Sequence, residues 1–203
     1  MYKHICGFFF FLQGGRRSER KKWNCLWEES RCVVYVVDLA CYDRILYEEN
    51  DANGMVDQYN LWRDLCSCQA WEEKKDLVYC LIFNKADLLE RKVEQDHIPI
   101  TTCSLFRSYS GRLDHFYSCL DHICDTFLQC AQEKNKRVLS FVISALDSKQ
   151  IACTFRIIRK HTEDVFRETV CLEILYVNLL LLDIMACILI QIFCFTNNFF
   201  FGK

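Results

Sequence analysis

The apolar run 77–83 gives way to Asn84-Lys85-Ala86-Asp87, an N-K-x-D tetrad whose side chains could read a purine base. A carboxylate at Asp87 can accept two hydrogen bonds, from the N1-H and the exocyclic N2-H of guanine, a pair that adenine does not offer. Asn84 can bridge to the base edge and tie neighbouring loops together, and the stem of Lys85 can cover the ring face. A second apolar run, 138–144, leads into Ser144-Ala145-Leu146-Asp147, where the backbone N–H of the small residue Ala145 can reach guanine O6 without a side-chain clash. Two such tips would embrace one base. Standing alone, the tetrad reads better as a turn carrying an ordinary surface Lys and Asp, so its weight depends on the elements that position it.

Those elements alternate along the chain. Residues 32–39 form a continuous β-branched run, and 53–69 carries Met55, Tyr59, Leu61, Trp62, Leu65 and Cys66 at helical spacing. The cycle then repeats, with 77–83 as a buried strand, 112–133 as an amphipathic helix, 138–144 as a third strand and 149–168 as a closing helix. Apolar strands separated by helices predict a parallel sheet with right-handed crossovers and both faces covered. Ligands of such sheets bind at the carboxyl ends of the strands, where both candidate tips lie.

Composition narrows the class further. A chain of 203 residues that is 52% hydrophobic and 26% charged can bury a core, but is too short for two full domains. Lys and Arg total 25 against 27 Asp and Glu, a net charge of −2, so there is no global electrostatic case for nucleic acid. With 6 Gly and 1 Pro, the chain lacks the tight-turn residues of sandwiches and barrels. Its 15 cysteines are odd in number and scattered, with no Cys-x-x-Cys, so they read as small hydrophobes of a reduced, cytoplasmic chain. Cys66-x-Cys68 and the set His115, Cys119, His122 and Cys124 fit no standard zinc spacing, and no metal site is expected from them.

Both ends are apolar. Residues 5–12 read as a buried strand, because the following Gln13-Gly14-Gly15-Arg16-Arg17 is a poor cleavage context for a secretory leader. Within the tail 170–203, the stretch 174–195 is interrupted by Asn178, Asp183 and Gln191. Its length suits a span of about 20 residues, but an Asp near the centre costs roughly 2.5–3.5 kcal/mol on insertion. Membrane contact through 170–201, a buried or self-associating helix, and a segment foreign to the fold all remain open readings.

The tetrad is not isolated. Gln13-Gly14-Gly15-Arg16-Arg17-Ser18-Glu19-Arg20-Lys21-Lys22-Trp23 resembles the switch II segment of heterotrimeric G-protein α subunits, D-V-G-G-Q-R-S-E-R-x-K-W in that family. The resemblance continues through Ala40-Cys41-Tyr42-Asp43, Leu46-Tyr47-Glu48-Glu49 and Asn84-Lys85-Ala86-Asp87-Leu88 to Ser144-Ala145-Leu146-Asp147-Ser148, which is similar to the family's T-C-A-T-D-T guanine loop. It covers about 13–168, in order and at the family's spacing.

The resemblance implies an α/β Ras-like P-loop GTPase fold, here incomplete, with 1–12 as an apolar N-terminal segment, 13–169 as the partial Ras-like domain and 170–203 as an apolar tail. It implies that Asn84, Lys85, Asp87 and Ala145 bind guanine and that Gly14 and Gly15 meet phosphate. By the same likeness, Arg17, Arg20 and Trp23 face βγ subunits and effectors, the segment after Tyr42 corresponds to switch III, and 149–168 is the receptor-coupling helix. The implied ligands are GTP and GDP, with Mg²⁺ in the family. The implied partners are a βγ dimer and a G-protein-coupled receptor, at a cytoplasmic site peripheral to the plasma membrane.

The chain also departs from the family pattern. No G-x-x-x-x-G-K-[ST] occurs, so the anion cradle, its Lys and the Mg²⁺-binding hydroxyl are not found. Leu12 stands where the family has a metal-supporting Asp. Arg16 stands where it has the Gln that orients the attacking water, and a guanidinium cannot accept a hydrogen bond from that water. The expectation is therefore guanine-directed but weak binding, GTP hydrolysis lost or impaired, no catalytic residue, and a sheet lacking its phosphate-loop strand. A non-catalytic module that holds βγ or receptor, and a partial gene product, are the alternatives.

Overall fold

The computed structural model describes residues 30–46, 52–69 and 77–169. The expected strand at 5–12, the segment 13–23 and the tail 170–203 lie outside the described residues.

Three strands, β1 (Cys32–Asp38), β2 (Val78–Asn84) and β3 (Val138–Val142), form a parallel sheet in the order β1-β2-β3. β2 lies in the middle and is buried along nearly its whole length, and its alternate side chains serve two separate cores. Tyr79, Leu81 and Phe83 point to one face, and Val78, Cys80 and Ile82 to the other. A strand buried on both faces needs no polar alternation, which is why it reads as an unbroken apolar run.

The first face is covered by α1 (Gly54–Cys66), α2 (Ala86–Glu90, continued by a π-helical turn Arg91–Gln95) and α3 (Phe116–Gln132). α1 starts where the Asn53 side chain accepts from the amides of Met55 and Val56 at 2.9 and 3.2 Å. The same side chain donates to the Tyr42 carbonyl at 2.6 Å, tying the segment after β1 to the helix start. The largest buried anchor is Trp62 of α1, which stacks on Tyr35 at 5.4 Å, meets Tyr79 edge-on and donates its indole N–H to the Phe127 carbonyl at 3.0 Å.

The opposite face is covered by α4 (Ser148–Thr169), whose apolar stripe Ile151, Phe155 and Ile158 packs on Val78, Cys80 and Ile82. Thr162, one turn further on, is buried and bonds back to the Ile158 carbonyl at 2.8 Å. The strands and helices expected between 32 and 168 are thus present, with two boundary corrections. The helix expected over 112–133 begins at Phe116, because His115 takes the cap position and its Nδ1 accepts from the Ser118 amide at 3.2 Å. The third strand leaves the ladder after Val142, two residues earlier than the apolar run suggests, although the Ile143 amide still donates to the Phe83 carbonyl at 2.8 Å.

Most of the described cysteines occupy packing positions. Of those described, Cys41, Cys66, Cys68, Cys80, Cys103, Cys119 and Cys130 are buried, and Cys153 is exposed. In the metal-like set, His122 stacks on Tyr109 at 4.5 Å and His115 serves as the helix cap. Burial pushes the thiols of Cys66 and Cys124 up to about 12 from an ordinary 9.0. A thiol held above its unfolded value keeps its full stabilising contribution below about pH 9 and loses it as pH rises toward about 12. Urea midpoints measured across that range are therefore expected to fall. At neutral pH, iodoacetamide followed by peptide mass mapping should label Cys153 well before Cys41 or Cys66.

Candidate functional site

The carboxyl ends of β1, β2 and β3 bring the candidate residues together, and Asn84 is the pivot. It closes β2, and its Oδ1 accepts from two amides, that of Lys85 at 2.7 Å and that of Ala145 at 3.0 Å. One side chain therefore ties the tip of β2 to the loop that follows β3. A backbone bond from the Ala86 amide to the Ile143 carbonyl at 3.3 Å closes the same gap. The Ala145 N–H, expected to face a base, thus donates to Asn84 in the structure.

Lys85 stands in the left-handed region with φ 66°, a conformation that costs a non-glycine residue of order 1–3 kcal/mol and that the surroundings must hold in place. Three contacts do so. Its amide is held by Asn84, its carbonyl accepts from Leu88 and Leu89, and its ammonium reaches Asp38 Oδ2 at 2.6 Å. Lys85 is only 6% exposed, so its charge is drawn toward the tip of β1 and away from bulk water. The sharp turn sends the chain directly into α2 and places Asp87 in that helix's first turn. Asp87 is half-buried, and among the described residues its carboxylate has no hydrogen-bond partner, which leaves its acceptor positions open beside the tetrad.

The loop after β3 is built in the same manner. Asp147 Oδ1 accepts from the amides of Lys149 and Gln150 at 2.9 and 3.2 Å and so caps α4, while Gln150 Oε1 accepts from the Ser144 amide at 3.1 Å. Leu146 is exposed at 72%, at the outer rim of the loop.

Sequence reasoning missed Asp38. It ends β1 as the register partner of Asn84 and faces Lys85. Its Oδ1 accepts from the Ala40 amide at 2.9 Å, and its own amide donates to Gln58 Oε1 at 2.7 Å. The available signal was an acidic residue interrupting an otherwise apolar run, Val33 to Leu39, at the level of the tetrad. Of the other expected site residues, Gly14, Gly15, Arg16, Arg17, Arg20 and Trp23 lie outside the described residues.

A parallel sheet covered on both faces, with an Asn-Lys-x-Asp tetrad at the tip of its central strand, is an α/β architecture consistent with part of a GTPase domain. A family model described as G-protein alpha subunit matches residues 4–162, and the chain belongs to that family. It is 30% identical over 146 residues to guanine nucleotide-binding protein alpha-2 subunit of Dictyostelium discoideum, covering 72% of this chain and 38% of that protein. It is 31% identical over 148 residues to the G(o) subunit alpha of Caenorhabditis elegans, covering 73% and 40%. Against the alpha-1 subunit of Mycosarcoma maydis it is 31% identical over 142 residues, covering 70% and 38%. The chain spans about two fifths of the length of these curated relatives, as the 38–40% coverage states.

Proposed function

We propose that this chain binds guanine nucleotides through Asn84, Lys85, Asp87 and Ala145, as an α-subunit-like component of receptor-coupled signalling. The observation that supports this most directly is the pair of hydrogen bonds that Asn84 Oδ1 accepts from the Lys85 and Ala145 amides, which ties the tip of β2 to the loop after β3, with Asp87 in the first turn of the helix that follows β2. Asp87 accepts from guanine N1-H and N2-H, the Lys85 stem lies against the ring, and the Ala145 amide shares its hydrogen between Asn84 and O6. Gly14 and Gly15 meet the phosphates, and Arg17, Arg20 and Trp23 form the face for a βγ dimer or effector. α4 is the element that couples to receptor.

Arg16 in place of the family's water-orienting Gln leaves hydrolysis lost or impaired, because a guanidinium donates hydrogen bonds and accepts none. Among the described residues no group of three or more His, Cys, Asp and Glu could hold a metal ion. Among the described residues no helix is long and apolar enough to cross a membrane. Membrane contact through 170–201 remains part of the proposal and is tested by alkaline extraction, with release into the supernatant counting against a span.

Competition binding with GDP, IDP and ADP tests the base reading. IDP keeps N1-H but lacks the exocyclic amine, so affinity should fall in the order GDP, IDP, ADP, by about tenfold at the first step, the worth of one charge-assisted bond. Equal affinity for all three would sink the proposal.

A further inference from the structure

The network at the tip of β1 reaches beyond the tetrad itself. Asp38 is fixed on three sides: its amide is bonded to Gln58 Oε1, its Oδ1 to the Ala40 amide and its Oδ2 to Lys85 Nζ. Gln58, in α1, is held in turn by donating from Nε2 to the Gly54 carbonyl of the same helix at 3.3 Å and to Sγ of Cys41, just after β1, at 2.6 Å. A rigid carboxylate thus faces a buried lysine whose backbone is in a conformation that L side chains adopt rarely. Release of that ammonium would let Lys85 leave the left-handed region. Its amide would then move off Asn84 Oδ1, the atom that also holds Ala145.

We infer that Asp38 is a positioning residue of the guanine-reading site, acting through Lys85 to fix Asn84 and the loop at Ala145. It touches no base itself. It also supplies a counter-charge that directs the Lys85 ammonium toward β1 and leaves the alkyl stem, not the ammonium, to cover the ring. This inference rests on the proposed guanine binding and names a fifth residue, at the end of β1, on which base selectivity depends.

The test is a calorimetric double-mutant cycle on the full 203-residue chain with GDP and ADP as probes, using Asp38→Asn, Lys85→Met and the pair. Asp38→Asn is expected to weaken GDP about tenfold with ADP unchanged, in line with one lost charge-assisted contact. In the Lys85→Met background it should cost nothing further, because the contact it acts through is already gone. A general structural role would instead lower the thermal midpoint and both affinities equally in either background.

If GDP affinity in Asp38→Asn stays within about twofold of the parent while Asp87→Asn still loses it, the inference is overturned and the guanine reading stands. If the parent chain itself does not prefer GDP, the reading fails first. Should Asp38→Asn not fold by circular dichroism, Asp38→Glu, which shifts the carboxylate by one methylene, carries the same comparison. An unchanged GDP-to-ADP ratio there overturns the inference equally.

Discussion

Asp87→Asn is expected to lower GDP affinity by about two orders of magnitude and leave ADP unchanged. In the proposed site the carboxylate accepts twice from guanine, and hydrogen bonds to a charged group are each worth roughly 1.5–3 kcal/mol. An amide presents one acceptor and one donor, so its NH₂ would oppose the N2-H of guanine. The same substitution should favour xanthine, which carries a carbonyl where guanine carries the amine and can accept from that NH₂. A titration of Asp87→Asn with XDP and GDP reads both effects at once, and a variant that keeps the parent's order of affinities would remove Asp87 from the site. Asp87 is exposed enough, in the first turn of α2 and without an internal hydrogen bond among the described residues, that the fold should tolerate the change.

Trp62→Ala has the largest expected effect on stability, about 3–5 kcal/mol for removing a large aromatic from a packed core. Trp62 is fully buried between β1, β2 and α3, and truncation would remove its indole bond to the Phe127 carbonyl together with its ring contacts to Tyr35 and Tyr79. Against a total of about 5–15 kcal/mol for an ordinary domain, this loss leaves little margin. A urea titration followed by far-UV circular dichroism should show a much lower midpoint or no cooperative transition. A midpoint within experimental error of the parent would mean that α1 does not anchor this sheet.

The sheet was legible in the sequence because each strand is apolar for a reason that leaves a local trace. β2 feeds two cores and shows no alternation, while α4 feeds only one and shows a clean stripe at Ile151, Phe155 and Ile158. Boundaries were less legible, since they depend on single caps. Nothing in the residue pattern of 112–115 distinguishes a first helical turn from the cap that His115 makes.

In the candidate site, Asn84, Lys85 and Asp87 are legible because their order is specific, and Ala145 because the loop that holds it follows a recognisable strand. Asp38 was hidden for a physical reason. Its partner Lys85 is 47 residues away in sequence and meets it only once β1 and β2 pair in register. The left-handed turn at Lys85 was hidden likewise, since a lysine carries no propensity for it and the surroundings impose it.

The most direct test is calorimetric titration of the full chain with GDP and, separately, with ADP at concentrations up to the millimolar range. The account predicts saturable GDP binding, weak in absolute terms, and at least tenfold weaker binding of ADP, the discrimination expected from one or more charge-assisted bonds to the base. Indistinguishable heats and affinities for the two nucleotides would contradict it.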